Sequence, residues 1–259
     1  MEDIRDAVRA RYAEAAARIT TGGSCCDASC CGGADVISGP MGEDEYSRPE
    51  VAELGLTLRA SLGCGNPTAL AQLRPGEMVL DLGSGPGLDV LLSARRVAPD
   101  GHAYGIDMTD EMLALADENK VRAGVVNATF LKGTIESIPL PAAAVDVVIS
   151  NCVINLAADK TAVLREAFRV LKPGGRLALT DMVELEPLPP SVKAGLDAWA
   201  GCVAGTIPVD RYEAALHEAG FASVTLEITN RFAAGEARLP PGPGRIASAH
   251  IHALKPGKA

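Results

Sequence analysis

The stretch "EMVLDLGSGPGLD", residues 77–89, decides the fold. "EMVLDL" (77–82) is an apolar run of strand length, the pattern of a strand buried on both faces. Gly83, Ser84, Gly85 and Gly87 then form a turn in which the backbone bends sharply and comes close to a ligand. A helix follows, through about Val97. A helix N-terminus in this position usually receives an anion. Asp81, directly before the glycines, is a poor neighbour for a pyrophosphate. The next predicted strand, "HAYGID" (102–107), ends in Asp107, well placed to accept both hydroxyls of a ribose. Acids at the ends of two consecutive strands point to a nucleoside-type cofactor. A dinucleotide fits less well, because Leu88 stands where G-x-G-x-x-G needs its third glycine.

Outward from this turn, strands and helices alternate. "ATFLK" (128–132) and "VDVVIS" (145–150) are the third and fourth strands, and Thr109 is expected to cap the helix between the second and third. A helix near 158–171 carries Leu164, Ala167, Phe168 and Leu171 on one face and stops at "KPGG" (172–175). "RLALTDM" (176–182) is the fifth strand, and helices are predicted at 188–204 and 208–219. "SVTLEIT" (223–229) and "IASAHIHAL" (246–254) follow with no helix between them, which predicts an antiparallel hairpin at one edge. The class is α/β, a doubly wound and mostly parallel sheet. Residues 1–19 read as an amphipathic helix with Ile4, Val8 and Tyr12 at helical spacing, and residues 20–42 as a flexible loop rich in Gly, Ser and Cys. The expected division is 1–70 as a cap, 71–184 as the cofactor-binding core, and 185–259 as a helical segment with the closing hairpin.

Composition narrows the function. A net charge of −9 and 3% aromatic residues argue against nucleic acid and against anionic membrane. No apolar run is long enough to span a bilayer, and "MEDIRDAVRARYAEAA" (1–16) is charged and helical rather than a signal peptide. A cytoplasmic protein with reduced thiols is expected, and nothing demands more than a monomer. Its seven cysteines then read as ligands, catalysts or core residues, and not as a disulfide framework.

Four of them, Cys25, Cys26, Cys30 and Cys31, crowd into "GGSCCDASCC" (22–31). The others stand alone: Cys64 in "SLGCGNP" (61–67), Cys152 in "SNCVINL" (150–156) and Cys202 in "WAGCVAG" (199–205). No C-x-x-C pair is present, which weighs against structural zinc. Cys152 follows the fourth strand and points at the ligand edge of the sheet, and the segment with Cys202 folds over the same edge. One such cysteine is ordinarily a small buried apolar residue. Three converging from three elements make a soft, thiolate-only trigonal site, which suits a lone-pair-bearing centre such as trivalent arsenic.

"VLDLGSGPG" (79–87) resembles the first motif of the class I S-adenosylmethionine-dependent methyltransferases. "GIDMT" (105–109), "GTIESIPLP" (133–141) and "VLKPGG" (170–175) fit it in order and spacing. That resemblance implies a Rossmann-like, seven-stranded sheet of order 3-2-1-4-5-7-6 with strand 7 antiparallel. It also implies that Asp107 holds the ribose, that Met108 lies against the adenine, and that Thr134, Ile135 and Glu136 edge the adenine pocket. Asp81, Gly83 and the backbone near Asn151 would face the methionine part. "SLGCGNP", "GIDMTDEML", "VISNCVINL", "ADKTAVLREAFRVLKPGG" and "WAGCVAG" together are similar to the arsenite methyltransferases, from about Tyr12 to the last strand. This second resemblance implies As(III) bound by Cys64, Cys152 and Cys202, with Cys25 or Cys26 as a redox partner. It gives Cys30 and Cys31 no counterpart. "YAEAA" (12–16) stands where the family has Tyr-Gly.

The chemistry agrees. Arsenic held by thiolates attacks with its lone pair and has no proton to lose, so no general base is needed. His102, His217, His250 and His252 are poorly placed for that role, His250 and His252 alternating as solvated positions on the last strand. Methylation oxidises arsenic, so a reducing thiol such as glutathione or thioredoxin is expected. The substrate is arsenite or its thiol conjugate, and the products range up to trimethylated arsenicals. Two other readings remain in view: a methyltransferase of an organic small molecule, and a thiol-rich protein that sequesters arsenite or another soft metal.

Overall fold

A strand that is apolar at successive positions needs cover on both faces, and β1 (Met78–Leu82) has it, with Val79, Leu80 and Leu82 all buried. β1 pairs in parallel with β2 (His102–Asp107) on one side and β4 (Val145–Asn151) on the other. β3 (Ala128–Lys132) extends the sheet past β2, and β5 (Leu171–Glu186) extends it past β4, both again parallel. β7 (Arg245–Leu254) runs antiparallel between β5 and the edge strand β6 (Ala222–Phe232). The order is β3-β2-β1-β4-β5-β7-β6, a mostly parallel sheet with an antiparallel terminal pair, as the sequence leads one to expect. The computed structural model describes residues 4–20, 51, 52, 54, 65–195, 199, 202–232 and 245–257.

Alternate strand residues feed two apolar layers. On one face Val79, Val147, Ile149 and Ala178 pack with Leu91 and Val97 of α3 (Leu88–Val97). On the other, Leu80, Leu82, Val148 and Leu177 meet Leu164 of α5 (Lys160–Val170) and Leu216 of α7 (Val209–Glu218). Each fully buried Leu or Val contributes roughly 1.5–3 kcal/mol. Other α-helices bounded among the described residues are α1 (Ile4–Thr20), α2 (Pro67–Leu70), α4 (Asp110–Ala123) and α6 (Pro190–Lys193).

Four local expectations are corrected. β5 begins at Leu171, straight after α5, and continues to Glu186, so it takes in "KPGG". Its pairing slips between Val145 and Val147 of β4, and Gly174 takes φ +82, so the breakers bend a strand there instead of forming a separate loop. Within the helix predicted at 188–204, α6 ends at Lys193, and Cys202 already sits in a turn with a left-handed backbone. Thr109 occupies the N-cap of α4 without capping it, because its backbone N–H and hydroxyl serve Asp107. His250 and His252 are partly buried on a strand flanked by two others, and burial lowers the His252 pKa.

Candidate active site

The glycine turn is pinned by its neighbours. Gly83 and Ser84 N–H both donate to the Ile106 carbonyl at 2.9 Å, which ties the turn to β2. Gly83 has φ +70, and a Cβ there would strike the Val153 side chain. Only glycine permits both the torsion and the contact. Gly85 N–H donates to Asp107 Oδ2 at 3.0 Å, and Thr109 N–H donates to Oδ1 at 2.9 Å. Burial raises the Asp107 pKa, and these backbone donors oppose the rise.

One cavity opens along the carboxyl ends of β1, β2 and β4. Asp81, Gly83, Ser84, Gly85, Asp107, Met108, Thr134, Ile135, Glu136 and Asn151 line it. Of the predicted cofactor residues, Gly87 alone stands back. It is the N-cap of α3 at φ +90, and a Cβ there would come within 2.6 Å of Phe130 Cζ. Asp81 is 3% exposed, and burial pushes its carboxyl well above the usual carboxylate range, with Asp89 and Asp107 adding to the rise. Asp81 Oδ1 and Ser84 Oγ are buried with no hydrogen-bond partner among the described residues. A cavity with acids on two strand ends, unpartnered polar atoms and a bare backbone cradle fits a nucleoside whose other end is cationic.

The wall formed by residues 133–138 is held from behind by α5. Ile138 N–H donates to Glu166 Oε2 at 2.8 Å, and Arg169 donates to the carbonyls of Ile138 and Leu140 at 3.0 and 2.8 Å. The Arg169 guanidinium also bonds Glu166 and lowers its pKa. From the front, α1 closes the cavity with Arg5, Val8 and Tyr12, and Arg5 reaches Glu136 at 3.4 Å.

Beyond Asn151 the chain enters a thiol region. Cys152 is 4% exposed, has φ +59, and packs with Met182, Leu188, Val192, Val203 and Ile246. Cys202 lies against this cluster with φ +60, and its thiol donates to the Cys152 carbonyl at 3.0 Å. Left-handed backbone at residues with a Cβ is uncommon and concentrates at functional sites. Lys160 stands nearby, its Nζ on the Ala157 carbonyl at 3.1 Å and 5.4 Å from the Trp199 ring centre. Burial lowers the Lys160 pKa, Asp181 opposes that, Lys193 adds to it, and Cys202 opposes it.

Cys25, Cys26, Cys30, Cys31 and Cys64 lie outside the described residues. Gly65, next to Cys64 in the chain, is held at this edge: its carbonyl accepts Asn151 Nδ2 at 2.6 Å. Cys152 is disulfide-bonded and Cys202 carries a thiol. That differs from the uniformly reduced set expected from composition.

Sequence reasoning missed Asp89, the α1 side chains and the 156–158 turn, all of which line the cavity. Asp89 had a usable signal, because it stands in the first turn of the helix that the glycines introduce. Tyr12 was legible as an apolar helix position, with nothing local to show what that face covers.

The comparisons with known proteins agree with this geometry. Residues 73–220 match the family model described as "Methyltransferase domain". The chain is 44% identical over 236 residues to an arsenite methyltransferase of Halobacterium salinarum, covering 87% of this chain and 59% of that protein. It is 38% identical over 156 residues to the arsenite methyltransferase of Mus musculus, covering 56% and 40%. This chain thus spans less than two thirds of either relative. Among solved structures, an arsenic(III) S-adenosylmethionine methyltransferase of Chlamydomonas reinhardtii aligns at a TM-score of 0.70 and 31% identity, covering 82% of this chain and 75% of that one. A methyltransferase domain over more than half of the chain and 31% identity to a solved arsenic(III) methyltransferase of which it covers 75% place the chain in the arsenite methyltransferase family of S-adenosylmethionine-dependent methyltransferases.

Proposed function

We propose that this protein transfers methyl groups from S-adenosylmethionine to trivalent arsenic bound by its own thiolates, converting arsenite to mono-, di- and trimethylated arsenicals. One observation carries the reading: two cysteines from distant segments, both in left-handed backbone, meet beside the cofactor cavity, the Cys202 thiol 3.0 Å from the Cys152 carbonyl.

When bound, S-adenosylmethionine supplies a methyl group on a sulfonium. Asp107 holds the ribose hydroxyls, with Met108, Thr134, Ile135 and Glu136 along the adenine. Asp81 Oδ1, buried and unpartnered, takes the ammonium of the methionine part, with Gly83, Ser84, Gly85 and Asn151 around it. Gly87 acts one layer back, keeping the helix start clear. Aligning nucleophile and methyl in this way supplies on the order of 7–11 kcal/mol of the barrier.

Cys64, Cys152 and Cys202 bind arsenite, losing its three oxygens as water. The arsenic lone pair forms the As–C bond while the methyl–sulfur bond breaks and its electrons stay on sulfur. Arsenic is then formally pentavalent. A neighbouring thiolate, having given up its proton, attacks one arsenic-bound sulfur. The S–S bond forms, that As–S bond breaks and its electron pair returns to arsenic. This leaves a methylated As(III) on the two remaining sulfurs, for release by thiol exchange or another round. Cys25 or Cys26 supplies the attacking thiolate, and Cys64 the sulfur it attacks. A cellular thiol such as glutathione or thioredoxin reopens the disulfide by exchange. The disulfide at Cys152 supports the need for that reductant before arsenic binds.

Cys152→Ser and Cys202→Ser should each lower arsenite methylation by about a hundredfold or more while cofactor affinity stays within about threefold. Retained methylation in both variants would sink the thiolate reading. Cys25→Ser/Cys26→Ser should complete a first turnover and then stall. An unchanged multiple-turnover rate would remove the redox role from these two residues.

A further inference from the structure

Lys160 stands where its own helix gains nothing from a cation. It is the first residue of α5, at the positive end of the helix dipole. It is also partly buried, and burial works against its charge. Its ammonium donates to the carbonyls of Ala157 at 3.1 Å and Asn155 at 3.4 Å. Those carbonyls belong to the short 3-10 helix Ile154–Leu156 and its C-cap Ala157, and Leu156 and Ala157 line the cofactor cavity. The ammonium also faces the Trp199 ring, 5.4 Å from its centre. A cation is attracted to an indole face, the more so where water is excluded.

The segment bearing Cys202 meets the same turn at two further points. Trp199 Nε1 donates to the Leu156 carbonyl at 3.1 Å, and Gly205 packs on the Asn155 carbonyl so closely that a Cβ would clash. The Trp199 carbonyl accepts the Cys202 N–H at 3.0 Å, so a tie on Trp199 reaches Cys202 directly. The bond from the Cys202 thiol to the Cys152 carbonyl, by contrast, does not pass through Lys160. One contact holds the two cysteines together, and others set them against the wall of the cofactor cavity.

We infer that Lys160 is a positioning residue whose ammonium clasps Trp199 to the 154–158 turn, and so fixes the arsenic-binding thiols in line with the methyl group. The inference rests on the arsenic-methylation reading above. Its physical basis is the geometry of an in-line displacement: the reacting atoms must stand about 3–3.5 Å apart, and a misplacement of about 1 Å costs up to about a hundredfold in rate. Lys160 stands outside the cavity lining. Its effect therefore falls on the rate of transfer and not on the capture of arsenic.

Lys160→Met keeps the apolar stem and removes the charge, whereas Lys160→Arg keeps a cation that stacks on an aromatic ring. Trp199→Leu removes the ring itself. The reduced full-length protein is saturated with arsenite and S-adenosylmethionine, and one turnover of methyl transfer is followed by rapid quench. The rate is taken per folded molecule, with the folded fraction from urea unfolding. Equilibrium dialysis gives the arsenite Kd.

The single-turnover rate should fall about tenfold in Lys160→Met, with the arsenite Kd within about threefold of wild type. Lys160→Arg should restore the rate to within about threefold. Trp199→Leu should lose at least as much as Lys160→Met, and adding Lys160→Met to it should cost less than about twofold more, because the clasp is already gone. A wild-type rate in Lys160→Met would overturn the inference and leave arsenic methylation standing. A tenfold effect of Lys160→Met that persists in Trp199→Leu would do the same, as would a raised arsenite Kd with an unchanged saturated rate. No arsenite-dependent transfer by the wild type would overturn the arsenic-methylation reading and this inference with it.

Discussion

Asp181 is buried beside the thiol region and accepts hydrogen bonds from Met182 N–H, Asn155 Nδ2 and Tyr212 Oη. Burial pushes its carboxyl from 3.8 up to about 7, against the pull of those donors and of Lys160. Its folded pKa lies above its unfolded one, so the native state holds the proton more tightly. The stabilising contribution is complete below about pH 4 and is lost as pH rises through 7. The stability of the wild type relative to Asp181→Asn should therefore decline from about pH 4 to about pH 8 in urea unfolding. A pH-independent difference would place the titration elsewhere. At this scale much of the site was legible. Asp81 and Asp107 stand on strand ends, and parallel strands send their carboxyl ends to the ligand. Asp89 was marked only by its place in the first turn of α3, because its bond to Asn151 depends on how closely that helix approaches. Nor does any local pattern announce the left-handed backbone at Cys152 and Cys202.

Elements carry two further predictions. The turn between β1 and α3 relies on Gly83, where φ is +70 and Val153 fills the space a Cβ would need. Gly83→Ala should cost about 1–2 kcal/mol from the torsion alone, and the displaced Val153 should weaken S-adenosylmethionine binding by more than about tenfold. Calorimetric titration checks it, and wild-type affinity would mean that the turn does not cradle the cofactor. α1 lays Tyr12 and Val8 over the same cavity. Tyr12→Ala should raise the KM for cofactor about five- to tenfold with little change in kcat, the pattern of lost uniform binding. An equal loss in both kcat and kcat/KM would instead place Tyr12 in the transition state.

The same elements show where sequence reading succeeds. β2 and β3 match their predicted limits residue for residue, since turn residues bound both. β5 does not, because Pro173, Gly174 and Gly175 are breakers by local preference, while Leu171 pairs with Val145 ahead of them and the Gly174 N–H and Gly175 carbonyl both bond Lys255. The helix expected at 188–204 stops short of its predicted end for a related reason: a tertiary contact overrides a helical pattern. Gly205 packs on the Asn155 backbone so closely that a Cβ would clash, and Cys202 turns out of the helical region.

For the whole molecule, the account joins a cofactor cavity to a thiol region across the carboxyl edge of one sheet. Asn151 stands at the join, lining the cavity and bonding Gly65. The most direct test is to supply S-adenosylmethionine, a thiol reductant and arsenite, and to follow S-adenosylhomocysteine together with arsenic speciation. The account predicts S-adenosylhomocysteine only when arsenite is present, in step with methylated arsenicals, and about a hundredfold less or lower still from Cys152→Ser or Cys202→Ser. S-adenosylhomocysteine formed without arsenite, or arsenite bound tightly with no cofactor consumed, would contradict it.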